Sequence, residues 1–321
     1  MEGFRQKRLR QALFRGDALT LKSPLYLQWV RTFTEELLRS DLEPDDLTTH
    51  ALRLEPGKRG KARVVAAAPG VLAGLDEVRW FYVNHGLHVE RLKADGELLH
   101  PGDEVLNAEG DQKTLLAVER VGLNLLQRMS GIATLTRRLQ EQAHRHSPGT
   151  FVVATRKTPW GLLDKRAVHH GGGGTHRLGL WDGILIKTNH LRLISAVEEE
   201  AIPLALGRAW PFRDRAVFVE VEVRGLNGAV VAARAFHELQ QEEADPLPCL
   251  LMLDNIGPEE TSRIMAALRE EELYEHVLIE ASGQISEATV EAYAACGVDA
   301  ISIGALTHSP RALDLRQRLA D

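Results

Sequence analysis

Apolar residues recur at helical spacing over 26–39 (YLQWVRTFTEELLR), which predicts a helix there. The next segment, 41–52, is acidic and turn-rich. From 62 to 117 the rhythm changes to short β-rich runs, ARVVAAA, GLHVERLKA and KTLLAVE, separated by turns such as Asp95-Gly96 and Pro101-Gly102-Asp103. That stretch reads as a mostly antiparallel small domain. A long helical pattern follows over about 118–144. Beyond it, near-continuous apolar runs appear at 150–154, 184–187, 217–223, 249–253, 277–281 and 299–303. Helical patterns fit between them at 229–242, 258–273 and 286–296. Apolar strands alternating with helices imply a parallel sheet covered on both faces. Periodicity leaves open whether that sheet is doubly wound or closes as a barrel.

The length of 321 residues suits two domains or a barrel with an appendage. With 39 Lys+Arg against 45 Asp+Glu the net charge is −6, which argues against a general nucleic-acid partner. Cys249 and Cys296 sit far apart in apolar segments, so neither a disulfide framework nor a zinc site is indicated. No apolar run approaches the ~18 residues of a membrane span, so no membrane partner is expected. Residues 1–16 carry five basic residues and one acid and read as a solvated basic helix, and the expected location is the cytoplasm.

Ligands in parallel α/β folds bind at the carboxyl ends of the strands. Those ends carry polar residues in two electrostatic groups. Arg156, Lys157, His176, Arg177 and Lys187 are cationic or can become so; Glu222 and Asp254 are acids on successive strands. The last two strands lead into Ser282-Gly283 and Gly304-Ala305, where backbone N–H groups can approach a phosphate. Each feature alone has an ordinary explanation as a surface ion pair or a packing glycine. Together, five cationic groups on one rim call for an anionic ligand, since such a cluster without counter-charge is costly. The two acids could bind ribose hydroxyls, coordinate Mg²⁺ or stabilise positive charge developing on a sugar. A phosphorylated sugar meeting an acidic co-substrate satisfies all three features.

Several stretches resemble quinolinate phosphoribosyltransferases, type II phosphoribosyltransferases also called decarboxylating nicotinate-nucleotide pyrophosphorylases. They are DDLTTHAL (45–52), GVLAGL (70–75), ERVGLNLLQRMSGIATLT (119–136), TRKT (155–158), GGGGTHRLGLWDGILIKTNHL (171–191), VEVEV (219–223), MLDNIGPEE (252–260), IEASGQIS (279–286) and GVDAISIGALTHS (297–309), in family order. The resemblance implies an α/β fold: an N-terminal α/β sandwich over 1–121, joined by the tail 306–321, and an incomplete seven-stranded α/β barrel over 122–305. It implies quinolinate and phosphoribosyl pyrophosphate as substrates, Mg²⁺ as cofactor and a homodimer. Arg156, Lys157, His176, Arg177 and Lys187 then match the dicarboxylate pocket, and Arg120 an arginine contributed across the dimer interface. Lys157, Glu222 and Asp254 are the catalytic candidates, Glu222 and Asp254 lying near the ribose and metal. Ser282, Gly283, Gly304 and Ala305 match the 5′-phosphate cradle. Only the resemblance promotes Arg120.

The chain departs from the family pattern after TRKT. The turn is about two residues shorter and lacks its arginine, for which Lys165 and Arg166 are candidate substitutes; Trp160, His169 and His170 would border the altered pocket. Thr175 and Thr188 replace an Asn and an Asp, Gln284 replaces a glycine, and 224–248 is longer than usual. The alternatives are a paralogue acting on nicotinate or another aromatic acid, and a catalytically silent dimeric binding protein.

Overall fold

The computed structural model describes residues 3–55, 57–241 and 247–320; part of the lengthened segment 224–248 thus lies outside the described residues. The strands in chain order are β1 (Arg59–Ala66), β2 (Gly70–Val71), β3 (His88–Arg91), β4 (Leu98–Leu99), β5 (Glu104–Asp111), β6 (Phe151–Val153), β7 (Ile184–Ile186), β8 (Val219–Val223), β9 (Cys249–Asp254), β10 (Leu278–Ser282), β11 (Ala300–Ser302) and β12 (Leu315–Ala320). The chain forms two compact units. One comprises Met1–Arg15, Arg138–Lys157 and Gly173–His308; the other Gly16–Arg137, Thr158–Gly172 and Ser309–Asp321.

In the second unit, β12, β1, β5 and β3 make an antiparallel sheet in that order. The helices Pro24–Leu42 and Leu75–Asn84 bury Tyr26, Val30, Val78 and Phe81. The run KTLLAVE, expected as a strand, is helical and belongs to Gln112–His146. Asp111 begins that helix by accepting the Thr114 N–H at 3.1 Å. Leu115 and Val118 are both buried and stand three residues apart, a helical spacing that a short apolar run does not reveal by itself. The missing strand is β5, immediately before it.

The first unit is a parallel sheet in the order β6-β11-β10-β9-β8-β7, six strands matching the six apolar runs. A seventh position is reduced to one bridge, in which Gly174 pairs with Val153 beyond β6. This is the incomplete barrel. Its interior follows from the two-residue repeat of strands, which puts i, i+2 and i+4 on one face. Phe218, Leu250 and Leu278 begin an apolar floor with Phe151 and Ala300. Two residues further on come Glu220, Met252 and Glu280, and two more give Glu222, Asp254 and Ser282. The parallel register pairs Glu280 with Met252, Ser282 with Asp254 and Glu222 with Met252.

The N-terminal helix Phe4–Leu13 is not solvated as expected. Leu9, Ala12 and Leu13 are buried in the same apolar floor. Each buried leucine contributes about 1.5–3 kcal/mol, which its basic outer face conceals from composition. Among the described residues no helix is long and apolar enough to cross a membrane.

Candidate active site

A cavity of about 660 Å³ opens at the carboxyl ends of the barrel strands. Arg156, Lys157, His176, Arg177 and Lys187 line it, with Glu222 and Asp254, and with Ser282, Gly283, Gly304 and Ala305. Strand direction brings together residues far apart in sequence, which is why all but one of the expected site residues meet here. Arg120 is the other: it stands exposed on the helix Gln112–His146, in the second unit.

Lys187 follows β7 and caps the short helix Thr188–Arg192, its N–H donating to His190 Nδ1 at 2.9 Å. Its ammonium donates to Glu222 Oε1 at 2.6 Å, and the Thr188 N–H donates to Glu222 Oε2 at 2.9 Å. Both carboxylate oxygens of Glu222 are therefore engaged. Arg177 is buried and donates through Nη1 to the Gly183 carbonyl at 3.1 Å. Burial, and then the neighbouring charge of Arg156, hold its pKa below the ordinary arginine value. Lys157 is carried by a turn in which the Thr307 hydroxyl donates to the Lys157 carbonyl at 2.7 Å.

The opposite wall needs small residues. Gly283 has φ +102°, and a Cβ there would lie 2.7 Å from the Asn255 backbone nitrogen. At Gly304 a Cβ would press on Lys157 Cδ and His308 Cδ2, both at 3.1 Å. Gln284, in place of the expected glycine, still adopts a left-handed φ of +50°, so the backbone shape persists without the residue type.

Beneath the cavity lies a group only partly foreseen. Glu220 and Glu280 are fully buried (0% exposed). His176 Nε2 stands 3.1 Å from Glu220 and 3.2 Å from Glu280, aimed between them without a well-aligned hydrogen bond to either. The three ligand atoms lie within 4.8 Å of one another, a spacing that a divalent metal could bridge. The second ring nitrogen argues against a metal. A metal-bound histidine donates its other N–H to a neighbour, whereas His176 Nδ1 accepts the Arg177 N–H at 2.8 Å.

Burial lowers the His176 pKa, but the charges of Glu280 and Glu220 outweigh it and raise it to about 9. Burial and the charge of Glu280 raise Glu220 to about 7. Nε2 faces the two acids, and Nδ1 faces the Arg177 N–H. His176 then meets the cavity as a ring, with both nitrogens committed inside the protein. Glu280 could have been flagged from sequence, because a glutamate inside an apolar parallel strand must find a partner.

Residues 132–318 match the family profile of the quinolinate phosphoribosyl transferase C-terminal domain, and residues 46–130 that of its N-terminal domain. The chain belongs to this family. A probable nicotinate-nucleotide pyrophosphorylase (carboxylating) of Methanothermobacter thermautotrophicus is 38% identical over 285 residues, covering 87% of this chain and 95% of that one. One from Bacillus subtilis is 34% identical over 283 residues, covering 86% and 88%. The structure of the nicotinate-nucleotide pyrophosphorylase from Francisella tularensis superposes with a TM-score of 0.76 at 31% identity, covering 91% of this chain and 96% of that one.

In this member of the family, the turn after Thr158 takes an unexpected course. None of Trp160, Lys165, Arg166, His169 and His170 is among the residues lining the cavity. Lys165 and Arg166 are buried in the second unit, where Arg166 donates to the Gly16 carbonyl at 3.1 Å. Trp160 packs on Phe33, ring centroids 5.0 Å apart, with the Arg128 guanidinium 4.9 Å from its ring centroid. Both candidate substitutes for the missing arginine are thus drawn into the core of the second unit.

Proposed function

We propose that this cavity transfers the phosphoribosyl group of phosphoribosyl pyrophosphate to quinolinate, giving nicotinate mononucleotide, pyrophosphate and CO₂. The observation that carries this reading is the chemical division of one cavity into a cationic wall, an acid pair and a small-residue wall. Arg156, Lys157, Arg177 and Lys187 hold the two substrate carboxylates, each charge-assisted bond contributing about 1.5–3 kcal/mol. Ser282, Gly283, Gly304 and Ala305 let backbone N–H groups reach the 5′-phosphate.

The pyridine nitrogen attacks the ribose C1, forming the C–N bond. The C1–O bond to pyrophosphate breaks, and its electron pair leaves with that group. Positive charge developing on the sugar is stabilised by the nearby carboxylates of Glu222 and Asp254. The C2–carboxylate bond then breaks with its electron pair left on C2, where the positive charge of the adjacent quaternary nitrogen stabilises it. CO₂ departs, and the ring carbon takes a proton from solvent.

Mg²⁺ would neutralise the charge of the departing pyrophosphate. With both oxygens of Glu222 engaged by Lys187 and Thr188, Asp254 is the carboxylate suited to hold it, alongside the donor's own phosphates. The proposed working form is a cytoplasmic homodimer in which Arg120 serves the partner's cavity.

The test supplies phosphoribosyl pyrophosphate and Mg²⁺ with quinolinate or with nicotinate, following mononucleotide and CO₂. Mononucleotide with CO₂ from quinolinate alone supports the proposal. Product from nicotinate alone would mean that the shortened turn has recut the acid pocket. Binding of the donor with no product from either acid would point to another aromatic acid or a silent binding protein.

A further inference from the structure

The cationic wall is held from below by a segment that precedes the family match, which begins at residue 46. His176 and Arg177 sit on an irregular stretch between the Gly174 bridge and β7, and His176 itself has a left-handed φ of +52°. Such a conformation persists only where the surroundings hold it. The end of the helix Phe4–Leu13 supplies that hold. The Leu13 carbonyl accepts the His176 N–H at 3.0 Å and the Thr175 hydroxyl at 3.2 Å. Two residues on, the Arg15 N–H donates to Thr175 Oγ at 2.9 Å, and its guanidinium lies 3.5 Å from Asp182. Asp182 in turn accepts the Leu178 N–H at 2.9 Å. Residues 13–15 thus grip the stretch at both of its ends.

The helix is fixed in register. Leu9 and Leu13 enter the apolar floor beside Phe151, Phe218, Leu250 and Leu278. At its start, the Arg5 fork binds both oxygens of Asp299, at 2.6 and 2.5 Å, and donates to the Tyr274 carbonyl at 2.8 Å. Bidentate pairs of this kind define geometry as well as charge. Asp299 also accepts the Ile279 N–H at 2.7 Å, so the anchor is tied to β10. The site also stays narrow: a Cβ on Gly174 would lie 3.1 Å from the Leu13 carbonyl oxygen.

We propose that the N-terminal helix is a positioning element of the active site, which sets Arg177 for the acid substrate by clamping residues 174–183 from the barrel floor. This rests on the reading of the cavity as a quinolinate and phosphoribosyl pyrophosphate site. Residues 13–15 touch the acid-binding wall and not the Ser282–Gly283 or Gly304–Ala305 wall, so loss of their grip should separate the two substrates.

The test uses the full chain with Arg5→Ala, Thr175→Val, Thr175→Ser and the Arg5→Ala/Thr175→Val double variant. A displacement of about 1 Å in a positioning group can cost up to about a hundredfold. Arg5→Ala and Thr175→Val should therefore raise KM for quinolinate about tenfold, with KM for phosphoribosyl pyrophosphate within about twofold. Thr175→Ser, which keeps the hydroxyl, should restore the wild-type value. If both changes act through one clamp, the double variant should lose little more than the worse single one. Amide hydrogen exchange over 174–183 should accelerate in both variants, while β8 to β10 keep their protection. Unchanged KM values, fully additive losses, or an equal rise for both substrates with a lowered thermal midpoint would overturn the proposal. If the wild-type chain turned over neither acid, the functional reading would fail while exchange at 174–183 still decided the clamp. Unaltered exchange in Arg5→Ala would overturn it.

Discussion

Arg177 shows how one side chain is made specific by its surroundings. Its Nη1 donates to the Gly183 carbonyl, which fixes the plane of the guanidinium at the cavity wall. A lysine could supply the charge but not the plane. Arg177→Lys is therefore expected to raise KM for quinolinate about tenfold or more, the loss of roughly one charge-assisted bond, with KM for phosphoribosyl pyrophosphate nearly unchanged. Steady-state kinetics with each substrate varied in turn would check this, and an equal effect on both constants would show that Arg177 does not face the acid. Residue types at strand ends were readable from sequence because parallel strands deliver their last residues to one rim. The orientation of His176 was not, since it depends on Glu220 and Glu280, which meet it only across the barrel interior.

At the scale of elements, the loop after β10 combines two constraints on one residue. Gly283 needs its φ of +102°, and the space where a Cβ would stand belongs to the Asn255 backbone nitrogen. Asn255 is itself left-handed, at φ +57°, on the loop after β9. Gly283→Ala should therefore destabilise the barrel unit by about 1–3 kcal/mol and raise KM for phosphoribosyl pyrophosphate, because it forces the loop that carries Ser282 and Gly283 away from Asn255 on the loop after β9. Thermal unfolding together with kinetics would test both halves; a raised KM with no loss of stability would mean that the loops yield without strain. The parallel strands were legible because each is an apolar run with chemistry at its end. The N-terminal helix was misread because the apolar part of its buried face is Leu9, Ala12 and Leu13, a stripe that gains meaning from a barrel floor built by residues 151–300. The run 113–119 was misread for the converse reason: its apolar residues fit a strand locally, and only their continuation along Gln112–His146 makes them a helix face.

For the molecule as a whole, each unit buries an acid whose proton is worth measuring, and the proposed dimer is testable directly. If Arg120 serves the partner's cavity, Arg120→Ala and Arg177→Ala homodimers are each defective, but a mixed dimer has one intact site. Exchanging subunits at equal ratio should restore about a quarter of wild-type activity; no recovery after verified exchange would place Arg120 and Arg177 in the same site or outside it. The pH dependence of stability follows from Glu77 in the second unit. Burial and the charge of Asp95 raise its pKa from 4.5 to about 7, despite the hydrogen bond it accepts from the Tyr26 hydroxyl at 2.7 Å. A carboxyl group raised in the folded state binds its proton more tightly there than in the unfolded chain. Its stabilising contribution is complete below pH 4.5 and disappears as the pH rises through 7. Glu220, raised to about 7 in the barrel unit, has the same sign. Unfolding free energy should therefore fall between pH 5 and 7.5, by about 1–3 kcal/mol for each of the two groups. Glu77→Gln keeps an oxygen for Tyr26 and cannot ionise, so it should flatten the slope of the second unit's transition and leave the Glu220 share of the barrel's slope in place. Denaturant titrations at the two pH values would show it. Parallel pH dependences for wild type and Glu77→Gln would mean that Glu77 is already ionised in the folded protein at pH 5, and that Arg166, the cation nearby, outweighs its burial.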